Sequence, residues 1–356
     1  MADRRRTGIG SRWLGVAAAS VIVLAGLKAA QSLAIPFLLA MFLAIICSPA
    51  VAWMTRRRVP VTLAVLAVVI VLLAVFSAFG AIVGGSVNDF GAFATKYQGR
   101  FDGLVVEATS WLEARSIDPQ SLDLLTMLQP GRLMNMLGGV LRNLAAVLSN
   151  LFLILLTMIF MLLEGTTLPM KMQAAMGPGR VNSDKLKKFV LQVLRYLGIK
   201  TGTSLITGLV AGIWTGALGL EFAVVWGLLA FLLNFIPTIG SIVAAVPPVM
   251  LALVTDGLGL ALIVAVGYVV VNVAIGNFLE PILMGKTLGL STLVVFMSLV
   301  FWGWMWGAIG MLLSVPLTMI IKILFDNTDD LQWVAIMLDS RRAAEQRLEA
   351  EEAATS

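Results

Sequence analysis

The sequence predicts an all-α integral membrane protein of about eight transmembrane helices, one of them broken or re-entrant, with a small amphipathic helical module between spans three and four. Three observations carry that prediction. Of the 356 residues, 59% are hydrophobic and 13% charged, with a mean hydropathy of +0.96; soluble domains run at about 45–50% apolar and about 25% charged. The apolar residues gather in runs of span length, and a soluble fold of this size always keeps surface that polar groups must cover. The basic residues flank those runs as topology signals do, so the formal charge of +5 gives no reason to expect a nucleic-acid partner.

Taken in order, residues 1–85 read as a basic cytoplasmic tail and three spans. The first runs from Trp13 to about Ala30, with Lys28 snorkelling at its end. A tight hairpin then leads into the second, Leu33–Met54, and the third starts at Val61 after the cluster Arg56-Arg57-Arg58. Residues 86–139 form the extracytoplasmic module. There Phe90, Phe93, Tyr97, Phe101, Leu104, Ala108 and Trp111 recur at helical steps on one face, Asp118-Pro119 starts a helix, and Pro130-Gly131 breaks the pattern. Residues 140–164 are the fourth span and 165–197 a basic amphipathic helix of the cytoplasmic surface, with Ser183 or Asp184 as its cap. Residues 198–325 hold spans five to eight, the transport core. Span six, Phe222–Val254, is too long and carries Pro237, Pro247 and Pro248, which break it; Pro316 interrupts the last span. Residues 326–356 are a charged cytoplasmic tail.

Orientation follows from basic residues in short loops. Four Arg in the N-terminal tail, three at 56–58 and six Lys or Arg in 165–196 fall on one side if the spans alternate. The module at 86–139 has four basic and six acidic residues and falls on the other. Both termini are therefore expected in the cytoplasm.

The absence of histidine and the single cysteine, Cys47, exclude a disulfide framework, a Cys/His metal site and a histidine relay. No catalytic constellation stands out, and no metal or cofactor is expected. Gly285-Lys286-Thr287 ends like a phosphate-binding loop, but that motif needs a glycine where Glu280 stands, so no ATP site is expected.

Four stretches carry candidate function. Gly208, Gly212 and Gly216 repeat every four residues in span five, which suits close helix packing or a sliding surface. In Asn234–Ser241, Pro237 deletes a backbone hydrogen bond and Gly240 frees the dihedrals, so the helix opens. Transporters place such breaks beside their substrate sites, and Asn234, Thr238 and Ser241 could line a path; a structural kink is the plainer reading. In Asn277–Thr287, Glu280 is costly within a membrane unless paired, and Lys286 is one candidate partner. It either sits at a span end in water or faces a cavity, where it binds a cation or proton or holds a gate shut. Finally, Trp302, Trp304 and Trp306 read as interfacial anchors, and Gly303, Gly307 and Gly310 as a close packing surface.

Three segments, IPFLLAMFLAIICSPAVAWMTRRRVP, LLNFIPTIGSIVAAVPPVMLAL and NFLEPILMGKTLGLSTLVVFMSLVFWGWMWGAIGMLLSVPL, occur in this order with the module after span three. Together they resemble the autoinducer-2 exporter family, the PerM-type permeases, over nearly the whole chain. The start of the last span departs from it: Ser291-Thr292 stands where members often carry a proline. The resemblance implies a bacterial or archaeal inner-membrane protein of seven or eight spans that is a homo-oligomer. By position, the matching motif residues are Pro237, Gly240, Pro247, Asn277, Glu280, Pro281, Gly285 and Pro316.

The leading functional expectation is export of a small polar organic solute, autoinducer-2 among the candidates, without ATP hydrolysis. Asn234, Pro237, Thr238, Gly240, Ser241, Asn277 and Glu280 would line its path. Two others stand beside it: exchange of a monovalent cation such as sodium for protons through Glu280, and an oligomeric scaffold whose module binds a partner.

Overall fold

A computed structural model of the chain describes residues 7–114, 150–165, 183–284, 290–326 and 331–340, with 171, 174, 328 and 345. The fold is that of an all-α integral membrane protein. Among the described residues six helical stretches are long and apolar enough to cross a bilayer, and shorter apolar helices accompany them. The expected helix start at Asp118-Pro119, the break at Pro130-Gly131, the first part of span four, Lys286 and most of the C-terminal tail lie outside the described residues.

Helices α1 (Thr7–Ala29) and α2 (Gln31–Arg56) do not form the expected tight hairpin. Ala30 between them has φ −82° and ψ 11°, and its N–H still reaches the Gly26 carbonyl. One residue that close to helical dihedrals bends a helix without reversing it. Pro36 and Pro49 both lie inside α2, whose two faces serve different neighbours. Ala40, Ala44, Cys47 and Val51 pack with Ala64, Val65 and Val69 of α3 (Val61–Glu113) and with Ile154, Leu155 and Met158 of α4 (Leu151–Gly165). Phe42, on the other face, joins the apolar cluster of the C-terminal half.

At 53 residues, α3 is longer than a span. Its first part, Val61–Ile82, has the length and hydropathy of one, and the helix continues into residues 86–113 without a break. The onset of the expected module is thus a change of composition along one helix. Further along it, Arg100 donates to the Thr255 carbonyl. The expected surface helix and span five are likewise one element, α5 (Ser183–Ala217).

Span six is broken at Pro237, one of the three prolines expected to break it, whereas Pro247 and Pro248 lie inside a continuing helix. Helices α6 (Ala223–Leu233) and α7 (Ile239–Asp256) flank residues 234–238 and fold against each other, with Trp226, Leu229 and Ala230 packing with Ala244, Leu251 and Ala252. An arm of 11 residues rises only about 16 Å, half of a bilayer core of about 30 Å. Helix α8 (Leu258–Asn272) passes through a π-helical segment, Val273–Leu279, into the short α9 (Glu280–Met284).

The last apolar helix, α10 (Thr292–Asp326), differs from the single span expected. Trp306 (φ −132°, ψ 21°) and Gly307 (φ 62°, ψ −144°) interrupt it, and the chain folds back there. The indole N–H of Trp302 donates to Thr318 Oγ1 at 3.1 Å, a contact that a straight helix cannot make across 16 residues. The helix runs on through Pro316, so that proline is not the interruption. The protein therefore holds two helical hairpins built alike. In each, a glycine near the start of the second arm leaves no room for a Cβ against a carbonyl near the end of the first, Gly240 against Leu233 and Gly310 against Trp302. Helix α11 (Gln332–Met337) then ties the base of the second hairpin. The Ser291 N–H donates to the Leu338 carbonyl, and Asp339 pairs with Lys322.

Candidate functional site

Helix α5 is the spine of the site because one of its faces is both small and polar. Lys200, Thr203, Ser204, Thr207, Ala211 and Thr215 are all buried. Thr207 and Thr215 return their hydroxyl protons to the carbonyls of Thr203 and Ala211, four residues back. That habit keeps a hydroxyl satisfied in an apolar setting. Lys200 has no such local outlet.

Its partner is Glu280. The ammonium Nζ lies 2.8 Å from Oε1 and 2.9 Å from Oε2, with the lysine side chain 6% exposed and the glutamate 16%. Both carboxylate oxygens are engaged, so the bond is charge-assisted twice over. The expected partner, Lys286, lies outside the described residues. The π-helical segment brings Glu280 to this position. The N–H of Glu280 reaches back five residues to Ile275, and such a widened turn advances the helix phase by about one residue. Asn277, within that segment, is exposed rather than turned toward the pair.

One turn along α5, Ser204 accepts a 3.0 Å hydrogen bond from the Asn234 amide, and both residues are buried. Asn234 is the first residue of the first hairpin's tip, so α5 touches the two interrupted backbones four residues apart. Phe235 and Ile236 are buried too, and only the end of the tip faces outward. Thr238 is exposed, and the Ser241 hydroxyl reaches only the Thr238 carbonyl at 3.5 Å. Thr238 has φ 60° and ψ −48°, and the Ile239 N–H bonds the Pro237 carbonyl at 2.6 Å across it. This is the strained, left-handed form of γ-turn, held by a β-branched residue. Such dihedrals cost about 1–3 kcal/mol. Thr238→Gly should therefore raise thermal stability in detergent by about 1 kcal/mol, glycine adopting this turn freely; a lower melting temperature would show that the turn is not strained.

The glycine repeat of α5 meets α6. A methyl group on Gly208 would come 2.7 Å from the Gly227 carbonyl oxygen, whereas at Gly212 and Gly216 the nearest atoms stand at an ordinary 3.4 Å. In the second hairpin Gly303 faces Met311, while Gly307 has open space around it and is required by its positive φ, not by packing. Trp302 and Trp306 are not interfacial anchors: they are 6% and 7% exposed, with ring centroids 4.8 Å apart. Of these three tryptophans Trp304 alone is exposed, and the Lys28 ammonium sits 4.0 Å above its ring.

Of the residues singled out in the sequence, the structure brings Asn234 and Glu280 to α5. It leaves Thr238, Ser241 and Asn277 outside that contact. Ser204 stands out in the sequence only as part of the small-residue face of span five, and Lys200 not at all, although one signal was present. A lone lysine inside a 27-residue stretch that can cross a membrane needs a carboxylate nearby. Glu280 is the acidic residue that the sequence offers for it, at a span end or facing a cavity.

The model of the AI-2E family of transporters matches residues 18–330. The AI-2 transport protein TqsA of Escherichia coli (strain K12) is 42% identical over 318 residues, covering 89% of this chain and 92% of that protein. A putative transport protein of Haemophilus influenzae is 40% identical over 91% of this chain and 95% of its own length. The putative transport protein YhhT of Escherichia coli (strain K12) is 34% identical over 91% and 93%.

Proposed function

The chain belongs to the AI-2E family of transporters, and on that premise we propose that it exports a small polar organic solute across the bacterial cytoplasmic membrane without hydrolysing ATP. Autoinducer-2 is the first solute to test, because the relative TqsA is named for AI-2 transport. On this reading both termini are cytoplasmic and the chain works as a homo-oligomer.

The observation that carries the reading is the Lys200–Glu280 pair. A buried ion pair costs desolvation that apolar packing would avoid, so its presence in a membrane core calls for a reason other than stability. It joins α5 to the π-helical segment, and Asn234–Ser204 joins α5 to the first hairpin. Both links are polar. A solute carrying hydroxyls competes for them as an aliphatic one cannot, which couples its passage to a rearrangement of the interrupted helices.

The same geometry weighs against cation exchange through Glu280. A sodium ion at that carboxylate would have to displace an ammonium that already takes both oxygens. In a strain lacking its own exporters, expression of this protein should lower intracellular autoinducer-2 and raise the extracellular pool. Unchanged partition would remove that solute. Sodium-dependent proton movement in everted vesicles, abolished by Glu280→Gln, would reinstate exchange.

A further inference from the structure

The turn between α2 and α3 gathers positive charge that no carboxylate among the described residues answers. Arg56, Arg57 and Arg58 are all exposed. Lys171, Lys200 and Lys322 each take a carboxylate, whereas none of these three guanidiniums does among the described residues. The Val59 N–H bonds the Met54 carbonyl and the Arg58 N–H that of Thr55, the pattern that closes a helix through one left-handed residue. Glycine usually takes that position, but here Arg58 holds it at φ 68°. An arginine is therefore kept where the backbone favours glycine.

What lies beside the charges is apolar and also exposed. The Arg57 guanidinium sits 4.3 Å above the ring of Trp53, one turn back along α2, and Trp53 is 57% exposed. On α3, Ala64, Val65 and Val69 face the core, while Leu63, Leu66, Ile70 and Leu73 recur at helical steps on the exposed side. A soluble anion such as free phosphate would use the guanidiniums and leave that wall bare. An apolar chain alone would leave three charges unpaired. An amphiphile with an anionic head satisfies both. Its phosphate takes the planar, forked guanidinium donors, and its chains cover α3. Tryptophan is enriched at the headgroup level of a bilayer. The cytoplasmic leaflet, on which the orientation proposed above puts this turn, carries anionic lipid.

We infer that this turn, with Arg56, Arg57 and Arg58 set beside Trp53, is a binding site for the headgroup of an anionic phospholipid whose acyl chains lie along α3. The site is separate from the Lys200–Glu280 pair and stands whether or not the transport reading does.

The test is photo-crosslinking of the full-length protein in phosphatidylcholine nanodiscs. A trace of phosphatidylglycerol carrying a diazirine on its acyl chain should give adducts at Trp53 and at Leu63 or Leu66. The same probe built on phosphatidylcholine should give far fewer. One arginine beside an anionic lipid is worth about fivefold in binding. Arg58→Gly should therefore lower the phosphatidylglycerol adducts about fivefold and leave the phosphatidylcholine adducts unchanged. Glycine adopts the left-handed position freely, so this variant should melt no lower than the parent, which separates lost lipid from lost fold. Arg56→Gln, which leaves the turn backbone alone, should lower the adducts by a similar factor. Equal adducts from the two lipids in the parent, or unchanged adducts in both variants, overturns the inference. So does full displacement by glycerol 3-phosphate at the probe's own concentration, because the site would then take a soluble phosphate without chains.

Discussion

Replacing Lys200 by Met is expected to be among the most damaging single changes in the chain. Removing one member of a buried pair strands the other charge, and the cost is about 3–5 kcal/mol. Here the stranded group is Glu280, 16% exposed and set in a π-helical turn that cannot carry it to water without rewinding. Glu280→Gln should cost nearly as much, leaving an ammonium 6% exposed and unpaired. Both variants should melt well below the parent in detergent. The double variant Lys200→Met/Glu280→Leu removes both charges, and it should recover most of the lost stability. Transport separates the two roles. If the pair only holds helices together, the double variant transports. On the present account it is stable and inactive.

The second large effect is expected at the hairpin turns. A methyl group at Gly240 would stand 1.8 Å from the Leu233 carbonyl oxygen, and at Gly310 1.9 Å from that of Trp302. Those neighbours are backbone atoms at the ends of packed helices, so they cannot swing aside as a side chain would. Overpacking costs about 1–3 kcal/mol where side chains absorb it; at these two positions the whole turn must open, and more than that is expected. Gly240→Ala and Gly310→Ala should each sharply reduce the yield of monodisperse protein on size exclusion. Gly303→Ala is the control, because its methyl group meets the flexible Met311 side chain. Gly259→Ala, with open space around the site, should leave yield unchanged. Equal yields for all four would mean that the turns are looser than described.

These two expectations also mark what the sequence could and could not disclose. The helical, membrane-spanning character follows from composition and run length, which are local properties. The break at Pro237 was readable because proline removes a hydrogen bond wherever it stands, but proline alone does not decide it, since α7 accommodates Pro247 and Pro248. The second break was not, because the eye is drawn to Pro316, which α10 accommodates, while the turn is made by Trp306-Gly307. Likewise Glu280 was conspicuous as a lone acid, but Lys200 lies 80 residues away, a distance no motif spans. Tryptophans within one apolar stretch look alike in sequence, yet Trp302 and Trp306 stack in the core and Trp304 faces outward. Partners across helices are tertiary facts, and a single sequence encodes them without spelling them out.

The central claim is that the interrupted helices joined through Lys200–Glu280 move a small polar solute without ATP. Solute counterflow in liposomes containing only the purified protein tests it most directly. Liposomes loaded with unlabelled autoinducer-2 should transiently concentrate labelled autoinducer-2 from outside, with no nucleotide present, and the stable Lys200→Met/Glu280→Leu protein should not. Counterflow that survives in that variant, or that is missing from the parent for every small polar solute tried, would contradict the account.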